Sequence, residues 1–149
     1  MNRYLILTIS ILFSLALLGC GKNVPLQGVV TFEDGTLLTV GTVNFTSPEN
    51  GLSRGKIQPD GTYQIGSHKD KDGLPPGKYK VYITGAAVPD GPAPVSDQKD
   101  SMGNPVQKMG SVRQLIDLKY VTAEATPLVC EVPASGNRFD ITVAAFEKK

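Results

Sequence analysis

The chain has 149 residues, 15 Lys and Arg against 14 Asp and Glu, a single His and a formal net charge of +1. Its length fits one domain, and its charge balance excludes a global electrostatic pull on nucleic acid or anionic surfaces. Two cysteines exclude a disulfide framework and a four-cysteine metal site.

The first element is a leader. Arg3 precedes an apolar run from Leu5 to Leu18, about 14 residues, which suits a secretory signal and is short for a membrane span. The run ends Leu17-Leu18-Gly19-Cys20, the spacing of a lipobox. A cut after the small Gly19 leaves the thiol of Cys20 to carry a diacylglycerol and its new amine free for acylation. Two or three acyl chains anchor firmly, at about 0.8 kcal/mol per buried methylene. Residues 1–19 are therefore expected as a signal helix that is removed, 20–25 as a lipidated tether, and Cys20 as the lipidation site. The expected location is the cell envelope, facing the periplasm or exterior. With Cys20 acylated, Cys130 has no partner within the chain.

From there the sequence is dense in Gly and Pro and shows short runs of alternating polarity, the signature of an all-β domain. Leu26 to Glu33 places Val30 and Phe32 on one face and ends at the Asp34-Gly35 turn. Thr42 to Thr46 points Val43 and Phe45 inward and Asn44 outward. Leu52 to Gln58 is weakly patterned around Ile57. The turn Pro59-Asp60-Gly61 leads to Thr62 to Ile65, with Tyr63 and Ile65 inward. Lys78 to Thr84 alternates most clearly, with Tyr79, Val81 and Ile83 opposed to Lys78, Lys80, Tyr82 and Thr84. Pro127 to Val132 aligns Leu128, Cys130 and Val132, and Asn137 to Ala145 aligns Phe139, Ile141 and Val143. Seven strands separated by turns predict a β-sandwich over 26–146. Residues 86–110, with Pro89, Pro92, Pro94 and Pro105, are expected as a long loop without regular structure. Ser111 to Asp117 is expected as a helical turn.

Three motifs in fixed order carry a resemblance. They are Gly28-Val29-Val30-Thr31 followed by Asp34-Gly35 and Val43-Asn44-Phe45; then Asp60-Gly61-Thr62-Tyr63-Gln64-Ile65; then Leu74-Pro75-Pro76-Gly77-Lys78-Tyr79-Lys80-Val81. Together they resemble the carboxypeptidase regulatory-like, or transthyretin-like (prealbumin-like), β-sandwich. With the Cys20-Gly21 start and the segment from Lys119 to Leu128, the chain is most similar to small lipoproteins of planctomycete-type bacteria. Leu37-Leu38 departs from the family's usual Pro-Leu. The resemblance implies a seven-stranded sandwich and a structural or protein-interaction role. The enzymatic branch of that superfamily, the hydroxyisourate hydrolases, uses several histidines and a C-terminal Tyr-Arg-Gly-Ser. This chain has one His and ends Ala145-Phe146-Glu147-Lys148-Lys149.

No constellation for catalysis stands out. His68 lies in the charged turn Ser67-His68-Lys69-Asp70-Lys71-Asp72-Gly73, where neighbouring side chains lack the positioned geometry of a triad. Asp70-Lys71-Asp72-Gly73 is a fragment of a calcium-loop spacing without its later ligands. Cys130 reads as a small core residue. Asn44-Phe45-Thr46 matches a glycosylation triplet by accident. No cofactor and no metal are expected, and no catalytic residue. The expected partners are membrane lipid through Cys20 and an envelope protein, with a cell-surface glycan as the alternative. A stacking platform for sugars would need exposed aromatics, and only Tyr4, Tyr82 and Tyr120 fall outside inward positions.

Overall fold

The computed structural model describes residues 23–67, 69, 71–91, 95–99, 101–107 and 110–147. These build twelve strands in chain order: β1 Leu26–Phe32, β2 Thr42–Ser47, β3 Gly51–Lys56, β4 Thr62–Gln64, β5 Gly77–Thr84, β6 Ala87–Pro89, β7 Val95–Lys99, β8 Pro105–Gln107, β9 Val112–Gln114, β10 Val129–Val132, β11 Asn137–Arg138 and β12 Ile141–Val143. The fold is all-β. The expected signal helix and Cys20 fall outside the described residues.

Two sheets face each other. In one, β1 is central, with β4 antiparallel on one edge and β11 and β12 parallel on the other. The second runs β10-β5-β2-β3, antiparallel throughout. The sheets meet at a corner where Arg54 of β3 exchanges both backbone hydrogen bonds with Gly66, just past β4. Inward residues alternate as a pleated strand demands. Val30, Val43, Phe45, Tyr63, Tyr79, Val81, Ile83, Cys130, Ile141 and Val143 are all buried.

Aromatic rings join the sheets. Phe45 of β2 lies 6.3 Å from Tyr63 of β4, 6.2 Å from Tyr79 of β5 and 6.1 Å from Phe139, centroid to centroid. Both buried tyrosines satisfy their hydroxyls on backbone carbonyls. Tyr79 donates to Pro75 O at 2.7 Å, and Tyr63 donates to Phe139 O. The carbonyl of Val81 accepts from the buried Thr126 hydroxyl, whose oxygen in turn accepts from Leu128 N.

The seven expected strands correspond to eight of the twelve, so the count of seven is not met, and three further details differ. The last splits into β11 and β12 around Phe139-Asp140. There the Asp140 carboxylate takes the N–H of Val29 at 2.9 Å, filling the break in the ladder. Ile57 is buried, but beyond the end of β3, where its N–H bonds Gly41 O. Backbone pairing also begins before β1: Val24, expected in the tether, exchanges both backbone bonds with Leu74.

The segment 86–110, expected as irregular loop, carries short strands instead. β6 pairs with β9, and β7 pairs with β8. Pro89 ends β6 and Pro105 begins β8, positions where the missing N–H is tolerated. The helical turn expected at Ser111 to Asp117 sits one step later. Val112–Gln114 is strand, Ile116 is fully buried, and Asp117 accepts from Lys119 N to start a 3-10 turn at Leu118–Tyr120.

Tyr79→Ala is expected to destabilise the domain by about 3–5 kcal/mol, the scale of large aromatic deletions, and Tyr79→Phe by about 1 kcal/mol through loss of the Pro75 bond. Urea unfolding of both variants checks the ring and the hydroxyl separately. Replacing residues 95–107 by a short Gly-Ser link is expected to shift the melting temperature by only a few degrees, because β7 and β8 pair with each other rather than with either main sheet.

Candidate functional site

Outward positions on three strands converge at the β3–β4 corner. β1 presents Gln27 and Val29, β4 presents Thr62 and Gln64, and β3 presents Arg54 and Lys56. Gln58, Lys71 and Arg138 complete the walls of a groove of about 690 Å³. That volume is in the range of small-molecule sites. Most such sites are mainly apolar, whereas amides, hydroxyls and cations make up about half of this groove's lining.

Two glycines shape the floor by close approach. A Cβ at Gly55 would overlap the carbonyl oxygen of Gln64, and one at Gly28 would overlap that of Phe139. The backbones of β3 and β4 therefore cross almost in contact, and the flanking side chains stand up on either side.

The lining holds four cationic residues, Arg54, Lys56, Lys71 and Arg138, and no carboxylate among the described residues. Arg138 is held in place from behind. Its Nε donates to both oxygens of Asp140 at 3.0 Å. This contact, with the Val29 N–H, holds the Asp140 carboxyl below the usual carboxylate range, while its slight burial opposes the shift. The other ion pair among the described residues joins Lys119 to Asp117, away from the groove.

Of the residues singled out in the sequence, Lys71 lines the groove, while Asn44, Asp72 and Cys130 do not. Cys20, Tyr4, His68 and Asp70 fall outside the described residues. In the turn around them, Asp72 accepts from Ser67 N at 2.6 Å and from Lys69 N at 3.2 Å. The Ser67 hydroxyl contacts Ser53 Oγ at 2.7 Å and donates to Gly73 O at 2.8 Å. Both side chains thus brace the turn. Cys130 is buried on the inward face of β10, and burial pushes its thiol up to about 11, so it stays protonated near neutral pH. Asn44 is also buried, donating to Thr42 O and Thr84 Oγ1 at 3.0 Å each.

Tyr120 corrects the sequence reading of exposed aromatics. It is buried at the end of the 3-10 turn, with Lys119 Nζ 5.0 Å from its ring centre. Tyr82 is half-buried on β5. Gly28, Val29, Thr62 and Gln64 belong to the motifs read from the sequence, whereas Gln27, Arg54, Lys56 and Arg138 belong to none. Gln27, Arg54, Lys56 and Gln64 occupy outward positions of alternating runs.

The Asp140 pairing predicts an acid limb in stability. Its folded carboxyl titrates below the unfolded value of about 3.9, so the unfolded chain takes up the proton first. The contribution is complete above the unfolded value and is lost as pH falls through the folded one. Unfolding free energies measured between about pH 5 and pH 2 should fall less steeply in Asp140→Asn than in wild type.

No protein family, characterised protein or solved structure matches the chain.

Proposed function

We propose that this chain is a non-enzymatic binding module of the bacterial cell envelope, held at a membrane by lipid on Cys20. On this reading it is a transthyretin-like, carboxypeptidase regulatory-like sandwich in a small lipoprotein. Its partner is an envelope component, protein or glycan. The observation that carries the binding role is the polar groove at the β3–β4 corner. Its lining offers hydrogen-bonding amides, hydroxyls and fixed positive charge, the means of recognising a polar ligand. The buried, protonated Cys130 supplies no nucleophile to it.

The anchoring half of the proposal rests on Leu17-Leu18-Gly19-Cys20. Because Val24 is already paired with Leu74, only residues 21–23 lie between the acylated residue and the fold. Three extended residues reach about 10 Å, so the domain would sit against the membrane rather than on a stalk. The glycan reading is favoured over a protein partner by the three glutamines of the groove, since an amide both donates and accepts, as a sugar hydroxyl does.

Cys20→Ser is expected to abolish incorporation of a fatty-acid probe and to release the protein from the membrane fraction. Equal labelling of wild type and variant would overturn the anchoring reading.

A further inference from the structure

The groove combines two features that select a ligand class. Its cations lie among groups suited to hydroxyls: Arg54 and Lys56 alternate with Gly55 on β3, while Gln64 and Thr62 face them from β4. It also has room: about 690 Å³, within the range of sites that take a drug-sized ligand.

We propose that this groove binds an acidic polysaccharide of the uronate class. Arg54, Lys56 and Lys71 pair with its carboxylates, and Gln27, Gln58 and Gln64 hydrogen-bond its hydroxyls and ring oxygens. This deepens the reading of the chain as a binding module and depends on it. The charge of Arg138 is partly neutralised by Asp140 and adds positive potential rather than a separate carboxylate contact.

Three observations favour this ligand. Charge complementarity comes first: a groove walled by cations, without a carboxylate in its lining among the described residues, raises the local concentration of a polyanion. Guanidinium and ammonium groups make charge-assisted bonds to carboxylates, about twice as strong as neutral ones. Second, Tyr63, Tyr79 and Tyr120 are buried in the core. Tyr63 is the aromatic residue of the groove's lining, and its burial leaves a neutral sugar no exposed ring there to stack on, so ionic and amide contacts carry the affinity.

Third, the groove floor restricts the route an acidic peptide would take. Extended peptides bind sheets by adding a strand to a free edge. Here β1 is paired on both edges, and β4 is joined to β3 at the corner by the Arg54–Gly66 pair and by Gln58 N to Thr62 O at 2.8 Å. At the corner itself a peptide would find few free main-chain partners, although β3 and β4 are edge strands of their sheets. A glycan needs no sheet edge.

The test uses the full chain, purified in non-ionic detergent, and three probes: polygalacturonate, dextran and poly-glutamate. Titration calorimetry should show binding of polygalacturonate, none of dextran and at least tenfold weaker binding of poly-glutamate. Raising salt from about 50 mM to about 500 mM should weaken the complex at least tenfold, since exposed charges are screened over a few ångströms at the higher value. Arg54→Gln combined with Lys56→Gln should cost about tenfold in affinity with an unchanged thermal melt. Lys78→Gln combined with Lys80→Gln removes equal charge from the exposed face of β5 and should leave affinity within twofold.

Equal binding of poly-glutamate would show a site for acidic polymers in general and overturn the proposal, as would no binding of polygalacturonate at low salt. Equal loss from the β5 pair would show diffuse attraction and overturn the groove assignment. Fatty-acid labelling at Cys20, measured on the same preparations, reports the anchoring reading independently of any of these results.

Discussion

The Phe45 ring is the point on which both sheets close. It sits on β2 of the second sheet and touches Tyr79 from its own sheet, then Tyr63 and Phe139 from the other. Edge-on and tilted aromatic pairs add about 0.5–1.5 kcal/mol each beyond the area they bury. More important is where the neighbouring hydroxyls go. Tyr63 reaches the Phe139 carbonyl in the break between β11 and β12, and Tyr79 reaches back to the Pro75 carbonyl before β5. The apolar cluster therefore orients two irregular backbone segments as well as filling the core.

The break at Phe139-Asp140 links this core to the groove. Phe139 packs on Phe45, and the ladder with β1 is interrupted there between β11 and β12. Phe139 N bonds Gln27 O, and the Asp140 side chain takes the Val29 N–H that the ladder leaves over. The same carboxylate then fixes Arg138 on the outer surface, at the groove wall. The residue beside this core contact thus fixes a charge on the outer surface. At the opposite wall, the absence of a side chain at Gly55 lets β3 approach β4, which brings Arg54 and Lys56 within one groove with Gln64.

Two turns use one device. Asp34 and Asp60 each accept from the N–H and the hydroxyl of a threonine two residues on, Thr36 and Thr62, across an Asp-Gly step. These bonds hold both carboxyls below the usual range. The second of these turns connects β3 to β4, so its local chemistry delivers the chain directly to the corner that forms the groove.

The local determinants were legible in the sequence. Strict alternation at Tyr79, Val81 and Ile83, and at Phe139, Ile141 and Val143, marked inward faces because side chains in a strand point to opposite sides at every step. The Asp-Gly turns were legible for the same reason: their hydrogen bonds close within three residues. Tertiary structure decided everything that depended on distant partners. Leu38, Leu74 and Ile116 are buried without belonging to any alternating run, because the sheets happen to cover them. The prolines of 86–110 suggested a structureless loop, yet β6 finds its partner in β9 more than twenty residues away. The groove was the least legible feature. Gln27, Arg54, Gln64 and Arg138 come from four separate stretches, each an ordinary outward residue of its own strand. Only the pairing of β1 with both β4 and β11, and the contact of β3 with β4, places them on one surface. Periodicity reports which side of a strand a residue occupies; it carries no information about which strands will lie beside it.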